Sequence, residues 1–76
     1  MTKTQIFLQA INDVKDFVTI VMRYDFDIDL VSGRYAVDAK SIMGIFSLDL
    51  SKPIDLNIHA EKEMDDILNA LQPYLI

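Results

Sequence analysis

The sequence predicts an α+β fold, a two-layer open-faced sandwich in the order β-α-β-β-α-β-α, with an antiparallel sheet and helices on one face. Three observations carry this. Apolar and polar residues alternate strictly in three short runs, as in strands with one buried side. Between and after these runs, apolar residues recur at i, i+3, i+4 and i+7, the stripe of a helix lying on a core. Each strand has a single apolar side, so one sheet face is covered and the other meets water.

Thr4, Ile6 and Leu8 alternate with Lys3, Gln5, Phe7 and Gln9, a half-buried first strand. Asn12 or Asp13 is placed to cap a first helix whose stripe is Val14, Phe17, Val18, Val21 and Met22. Phe26, Ile28 and Leu30 against Asp25, Asp27 and Asp29 give a second strand; Ser32-Gly33 turns the chain, and Arg34 to Ala39 returns as a third, forming a hairpin. Ser41 is a good N-cap for about two helical turns, Ile42 to Leu48, despite Gly44. Asp49 to Pro53 is a loop. Ile54, Leu56 and Ile58 alternate with Asp55, Asn57 and His59 in a fourth strand, and Met64, Ile67, Leu68, Leu71 and Leu75 mark a third helix that Pro73 distorts or ends. Element order alone leaves the strand order within the sheet open.

At 76 residues the chain is read as a single domain, residues 1–76, near the lower end of what folds unaided. Its 51% hydrophobic and 25% charged residues are a globular composition. The absence of cysteine excludes disulfides and thiolate metal sites, and implies a reducing compartment. A net charge of −5 argues against nucleic-acid binding, which rests largely on Lys and Arg neutralising phosphates. No apolar run is long enough to span a bilayer, so a cytoplasmic protein without membrane insertion is expected.

Little in the chain has the makings of an active site. Asp25-x-Asp27-x-Asp29 resembles the start of a calcium loop, but the sixth position is Leu30 and the twelfth Ala36, where such loops need glycine and glutamate. On a strand the three aspartates would share a wet face at about 6.8 Å intervals. His59, the only histidine, falls on the outer side of the fourth strand with no nucleophile or second base in view, and no role is assigned to it. The informative stretch is Ser41 to Leu48. A two-turn helix hides one stripe, yet this one carries Ile42, Met43, Ile45, Phe46 and Leu48. Ile45 and Leu48 suit the core, which leaves Ile42, Met43 and Phe46 partly exposed, either as a partner surface or swallowed by an irregular core. Ser41 is either a plain helix cap or a site where added phosphate would meet free N–H groups.

The run Asp38-Ala39-Lys40-Ser41-Ile42-Met43-Gly44-Ile45-Phe46-Ser47-Leu48 resembles the second-helix motif of the HPr family, the small phosphocarriers of the bacterial sugar phosphotransferase system, and matches it without a gap over Ala39 to Gly44. The element order also agrees with the HPr fold. By this resemblance Ser41 falls on the serine that an ATP-dependent HPr kinase phosphorylates in many Gram-positive bacteria. Ile42, Met43 and Phe46 fall on the apolar surface through which the family docks partners, and Lys40 on the basic residue before the serine. One departure is sharp. Working phosphocarriers carry a histidine in a His-x-Arg-Pro context at the start of the first helix, whereas Gln9 to Val14 contains no His, Arg or Pro and is shorter than the family's loop.

The resemblance therefore implies an HPr-like protein without the phosphohistidine site. Its expected role is non-enzymatic: a regulatory or protein-interaction module, without cofactor or metal, docking through its first two helices onto protein partners of the phosphotransferase or catabolite-control network. Two other classes stay open, a small-ligand-binding regulatory domain and a structural self-association module, and the oligomeric state is left undetermined.

Overall fold

The computed structural model describes residues 2–76; Met1 lies outside them. Strands β1 (Thr2–Ile6), β2 (Asp27–Ser32), β3 (Tyr35–Asp38) and β4 (Ile54–His59) are interleaved with helices α1 (Ile11–Val21), α2 (Ile42–Phe46) and α3 (Met64–Ala70), followed by a 3₁₀ turn at Gln72–Tyr74. This is the expected order. The sheet runs β1-β4-β2-β3 with all neighbours antiparallel, so β4 inserts between the first two strands. Ile28 and Leu30 of β2 and Ile54, Leu56 and Ile58 of β4 are buried beneath the helical layer, where they meet Phe17 and Val21 of α1, Ile45 of α2 and Ile67 of α3. The opposite face carries Asp55, Asn57 and His59 beside Asp27 and Asp29, and is polar.

Register fixes how the helices run. Ile6 pairs with Ile54, so the end of β1 meets the start of β4; Asp38 pairs with Asp29, so the end of β3 lies beside the start of β2. The α1 helix spans from the first of these ends to the second, and α2 returns from the second towards the first. The two helices touch and run in opposite directions.

Several boundaries differ from the sequence expectation, each for a local reason. Helix α1 starts two residues early, with Ala10 as N-cap. Alanine has no capping oxygen; instead the Asp13 carboxylate reaches back one turn and accepts from the Gln9 and Ala10 N–H groups at 3.1 and 3.3 Å. Neither Asn12 nor Asp13 is the N-cap. Met22 is not on the buried stripe: it is the C-cap residue and stands 64% exposed. Strand β2 begins at Asp27, because Phe26 turns aside to lie against the Tyr24 ring at a centroid distance of 5.3 Å. Asp25 therefore lies off the strand and does not share a face with Asp27 and Asp29. The hairpin turns on Gly33-Arg34, with Gly33 at φ +60° at the first central position, where a two-residue loop favours glycine. Strand β3 is accordingly shorter than Arg34 to Ala39. Helix α2 ends at Phe46, yet Leu48 still reaches the core. Leu75 is not helical. Beyond Tyr74 the chain is extended; Leu75 bridges to Ile6, the Phe7 N–H donates to the Tyr74 carbonyl at 2.9 Å, and the Ile76 N–H donates to the Gln5 carbonyl at 3.1 Å.

Glu63, the N-cap of α3, sits at φ +62° and is the one non-glycine residue with positive φ among the described residues. An L side chain there costs about 1–2 kcal/mol, part of which glycine returns as lost unfolded-state entropy. Glu63→Gly is therefore expected to raise stability by roughly 0.5–1 kcal/mol in urea denaturation. A clear loss of stability would show that the Glu63 side chain itself supports the fold.

Candidate functional site

The candidate site is built on the N-terminus of α2. Ser41 is extended, and its Oγ accepts from the Gly44 N–H at 3.1 Å, an N-cap bond that satisfies one free donor of the first turn. Gly44 is required by closeness: a Cβ there would stand 3.2 Å from Ser41 Oγ and 3.3 Å from Val37 Cβ. The glycine thus lets α2 lie tightly on β3 with its cap intact. Ile45 and Leu48 are buried as expected. The remaining apolar residues divide: Met43 is 76% and Phe46 40% exposed, whereas Ile42 is half-buried and packs against the core.

Lys40 is not a free surface cation. Its Nζ donates to the Tyr24 carbonyl at 2.6 Å, and its N–H donates to Asp38 Oδ1 at 2.9 Å. The cation thereby meets a carbonyl just past the C-terminal end of α1, where cations are favoured, and ties the approach to Ser41 to that helix. Tyr24 extends the link to α3, its hydroxyl donating to Asp66 Oδ2 at 2.7 Å. Sequence reading missed both contacts, because partners 16 and 42 residues apart leave no periodic signal.

The hydrogen bond to Asp66, with burial added, raises the Tyr24 phenol above its ordinary pKa of 10.0. A raised phenol contributes stability that is complete below the unfolded pKa and is lost as pH climbs through 10 towards the folded value. Burial raises Tyr74 in the same direction, with Asp16 and Asp13 adding to it. Tyr24→Phe is therefore expected to be less stable than the parent near neutrality and to lose less on going from about pH 8 to about pH 11. Urea midpoints at both pH values check this; parallel losses would mean that the Tyr24 proton is not linked to folding.

Helix α1 adds exposed apolar side chains of its own, Ile11 and Met22, which are 63% and 64% exposed. At its entry Gln9 to Asn12 are exposed and contain no histidine. His59 lies elsewhere: Ile54 is the residue of β4 that faces the α1 entry, and His59 is five residues further on, about 17 Å along an extended strand. Its Nε2 lies 2.9 Å from Asp29 Oδ2 on the outer sheet face. Among the described residues no three His, Asp or Glu side chains come close enough to hold a metal ion.

Residues 12–75 match the family model PTS-HPr, described as the PTS HPr component phosphorylation site. The chain belongs to the HPr family. Among solved structures it is similar to HPr-C-His from Thermoanaerobacter tengcongensis, with a TM-score of 0.78 and 25% identity over 96% of this chain and 89% of that one. It is also similar to the phosphocarrier protein HPr from Bacillus anthracis str. Ames, with a TM-score of 0.74 and 27% identity over 99% and 96% of the two chains. The family and the open-faced sandwich expected from the sequence are both present. No helix of this HPr-family chain is long and apolar enough to cross a membrane, among the described residues.

Proposed function

We propose that this HPr-family protein is a non-enzymatic regulatory interaction module without the phosphohistidine site. It docks protein partners of the phosphotransferase or catabolite-control network through α1 and α2, and phosphorylation of Ser41 tunes that docking. The observation that carries this reading is the exposure of Met43 and Phe46 on the same short helix whose N-cap is the exposed Ser41. A large apolar side chain held in water by a rigid helix is what a partner surface presents. Lys40, Ile42, Met43 and Phe46 form this surface in the proposal, with Ile42 contributing its outer edge and Lys40 holding the segment in place. Phosphate on Ser41 would add close to two negative charges beside Met43 on a chain already at −5, repelling an acidic partner and recruiting a basic one.

Loss of histidine phosphotransfer rests on chemistry. An amide such as Asn12 is not a phosphoryl acceptor at neutral pH, Asp13 is engaged with two backbone N–H groups, and His59 is at the wrong end of β4.

Intact mass after incubation with ATP and an HPr kinase tests the regulatory half. One added phosphate is expected, absent in Ser41→Ala and in Ser41→Asn, which keeps a capping oxygen without the hydroxyl. No added mass on the parent would leave Ser41 as a helix cap alone.

A further inference from the structure

The two edges of the sheet differ. On the β1 side the C-terminal segment covers the end of the strand, with Leu75 bridged to Ile6 and the Ile76 N–H donating to the Gln5 carbonyl. On the other side β3 pairs with β2 alone. Ser32 and Tyr35 flank the two-residue loop, which makes them a hydrogen-bonded pair. The alternation along an antiparallel ladder then turns the Ala36 N–H and C=O away from β2 and off the sheet. Such an edge is a template for another strand, and proteins commonly guard it with proline, a bulge or charged side chains. Strand β3 has no proline, and its register with β2 is continuous from Tyr35 to Asp38. The two charges beside Ala36, Arg34 before it and Asp38 after it, are opposite in sign and equally spaced from it.

We infer that β3 pairs antiparallel with β3 of a second copy of this chain, across a two-fold axis at Ala36. The segment Arg34-Tyr35-Ala36-Val37-Asp38 is complementary to its own reverse, which is what a two-fold interface requires. Ala36 exchanges two backbone hydrogen bonds with Ala36 of the second copy. Arg34 falls opposite Asp38 of the second copy, and by symmetry the pair forms twice. Asp38 Oδ1 already accepts from the Lys40 N–H, which leaves Oδ2 for the guanidinium. Tyr35, 72% exposed in the single chain, falls opposite Val37 of the second copy, so apolar surface meets apolar surface on the helical side. Charges of like sign on either side of Ala36 would repel in this arrangement; these attract. Because β3 is only four residues long, the contact is smaller than a standard interface, and a Kd of about 10–500 µM is expected. The inference does not depend on the Ser41 reading, since it uses neither Met43 nor Phe46.

The test is sedimentation equilibrium of the intact chain from ~10 µM to ~2 mM, over which the mass should rise from one copy towards two. Arg34→Asp and Asp38→Arg should each weaken association about tenfold or more, since like charges then lie opposite each other. Mixed in equal amounts the two variants should associate again, because each supplies the charge that the other lacks. Ala36→Pro removes the central donor at a position where its N–H points off the sheet, so it should also weaken association while leaving the β2–β3 ladder intact. Arg34→Asp and Ala36→Pro carry the test if Asp38→Arg fails to fold, and their melting temperatures show whether lost association is lost folding. A mass of one copy up to ~2 mM would overturn the proposal. So would a dimer that survives both Arg34→Asp and Ala36→Pro, or one that Met43→Asp abolishes, which would place self-association on α2.

Discussion

Phe17→Ala should lower the melting temperature by roughly 15–30 °C, the largest effect expected of any single substitution in this chain. Phe17 is fully buried on the inner face of α1, its ring edge-on to Tyr74 at 6.2 Å and 88°. Removing the ring forfeits its transfer free energy and opens a cavity that α1 cannot close, because Val14 and Val21 pin the turns on either side. Together these cost about 3–5 kcal/mol. A domain this small has on the order of 5–10 kcal/mol in total. The loss also frees Tyr74, whose carbonyl accepts from Phe7, so the C-terminal segment should detach from β1 with it. Thermal melts followed by circular dichroism check this. Met22→Ala, at a 64% exposed position that sequence periodicity assigns to the same stripe, should shift the midpoint by no more than about 3 °C. Equal effects at the two positions would contradict the packing.

On the proposal that HPr kinase phosphorylates Ser41, Met43→Asp and Phe46→Asp should each lower kcat/KM for that reaction about thirtyfold or more. Centrally placed apolar anchors are typically worth 2 kcal/mol or more at an interface, and every 1.4 kcal/mol is tenfold. The aspartate also places a like charge next to the developing phosphoserine, which adds to the loss. Met43 is 76% exposed, so aspartate there buries no charge and the melting temperature should stay within a few degrees of the parent. Phe46 is 40% exposed and packs part of its ring, so its variant should lose some stability as well. Met43→Asp is thus the cleaner probe of docking. Unchanged kcat/KM in both variants, with phosphorylation of Ser41 intact, would place recognition away from this helix.

Much of this architecture was legible in the chain. The strict alternation of Ile54, Leu56 and Ile58 located β4 to the residue, because a strand with one buried face writes its period directly into the sequence. Ser41 was legible as an N-cap and Gly44 as part of a family motif, although only the packing explains the glycine, through the 3.3 Å that a Cβ would leave to Val37. The division of Ile45 and Leu48 from Met43 and Phe46 followed from the width of one helical stripe. Ile42, expected to be partly exposed at the edge of the stripe, is half-buried there. Met22 departed from expectation at the end of α1, where the stripe runs past the last covering element, and coverage there depends on neighbours across the layer.

The sequence by itself determined the element order, the one-sided core, the Ser41 cap and the absence of histidine from Gln9 to Val14, because each is written in local periodicity or residue identity. Only the tertiary structure decided the rest. Strand order, with β4 inserted between β1 and β2, depends on pairings between residues up to 56 positions apart, such as Thr2 with Ile58. The Lys40–Tyr24–Asp66 link likewise joins segments that the chain keeps apart. Local sequence sets which face of each element must be buried. Which distant groups then meet is settled when those faces pack together, and a single chain read in order carries no periodic trace of it.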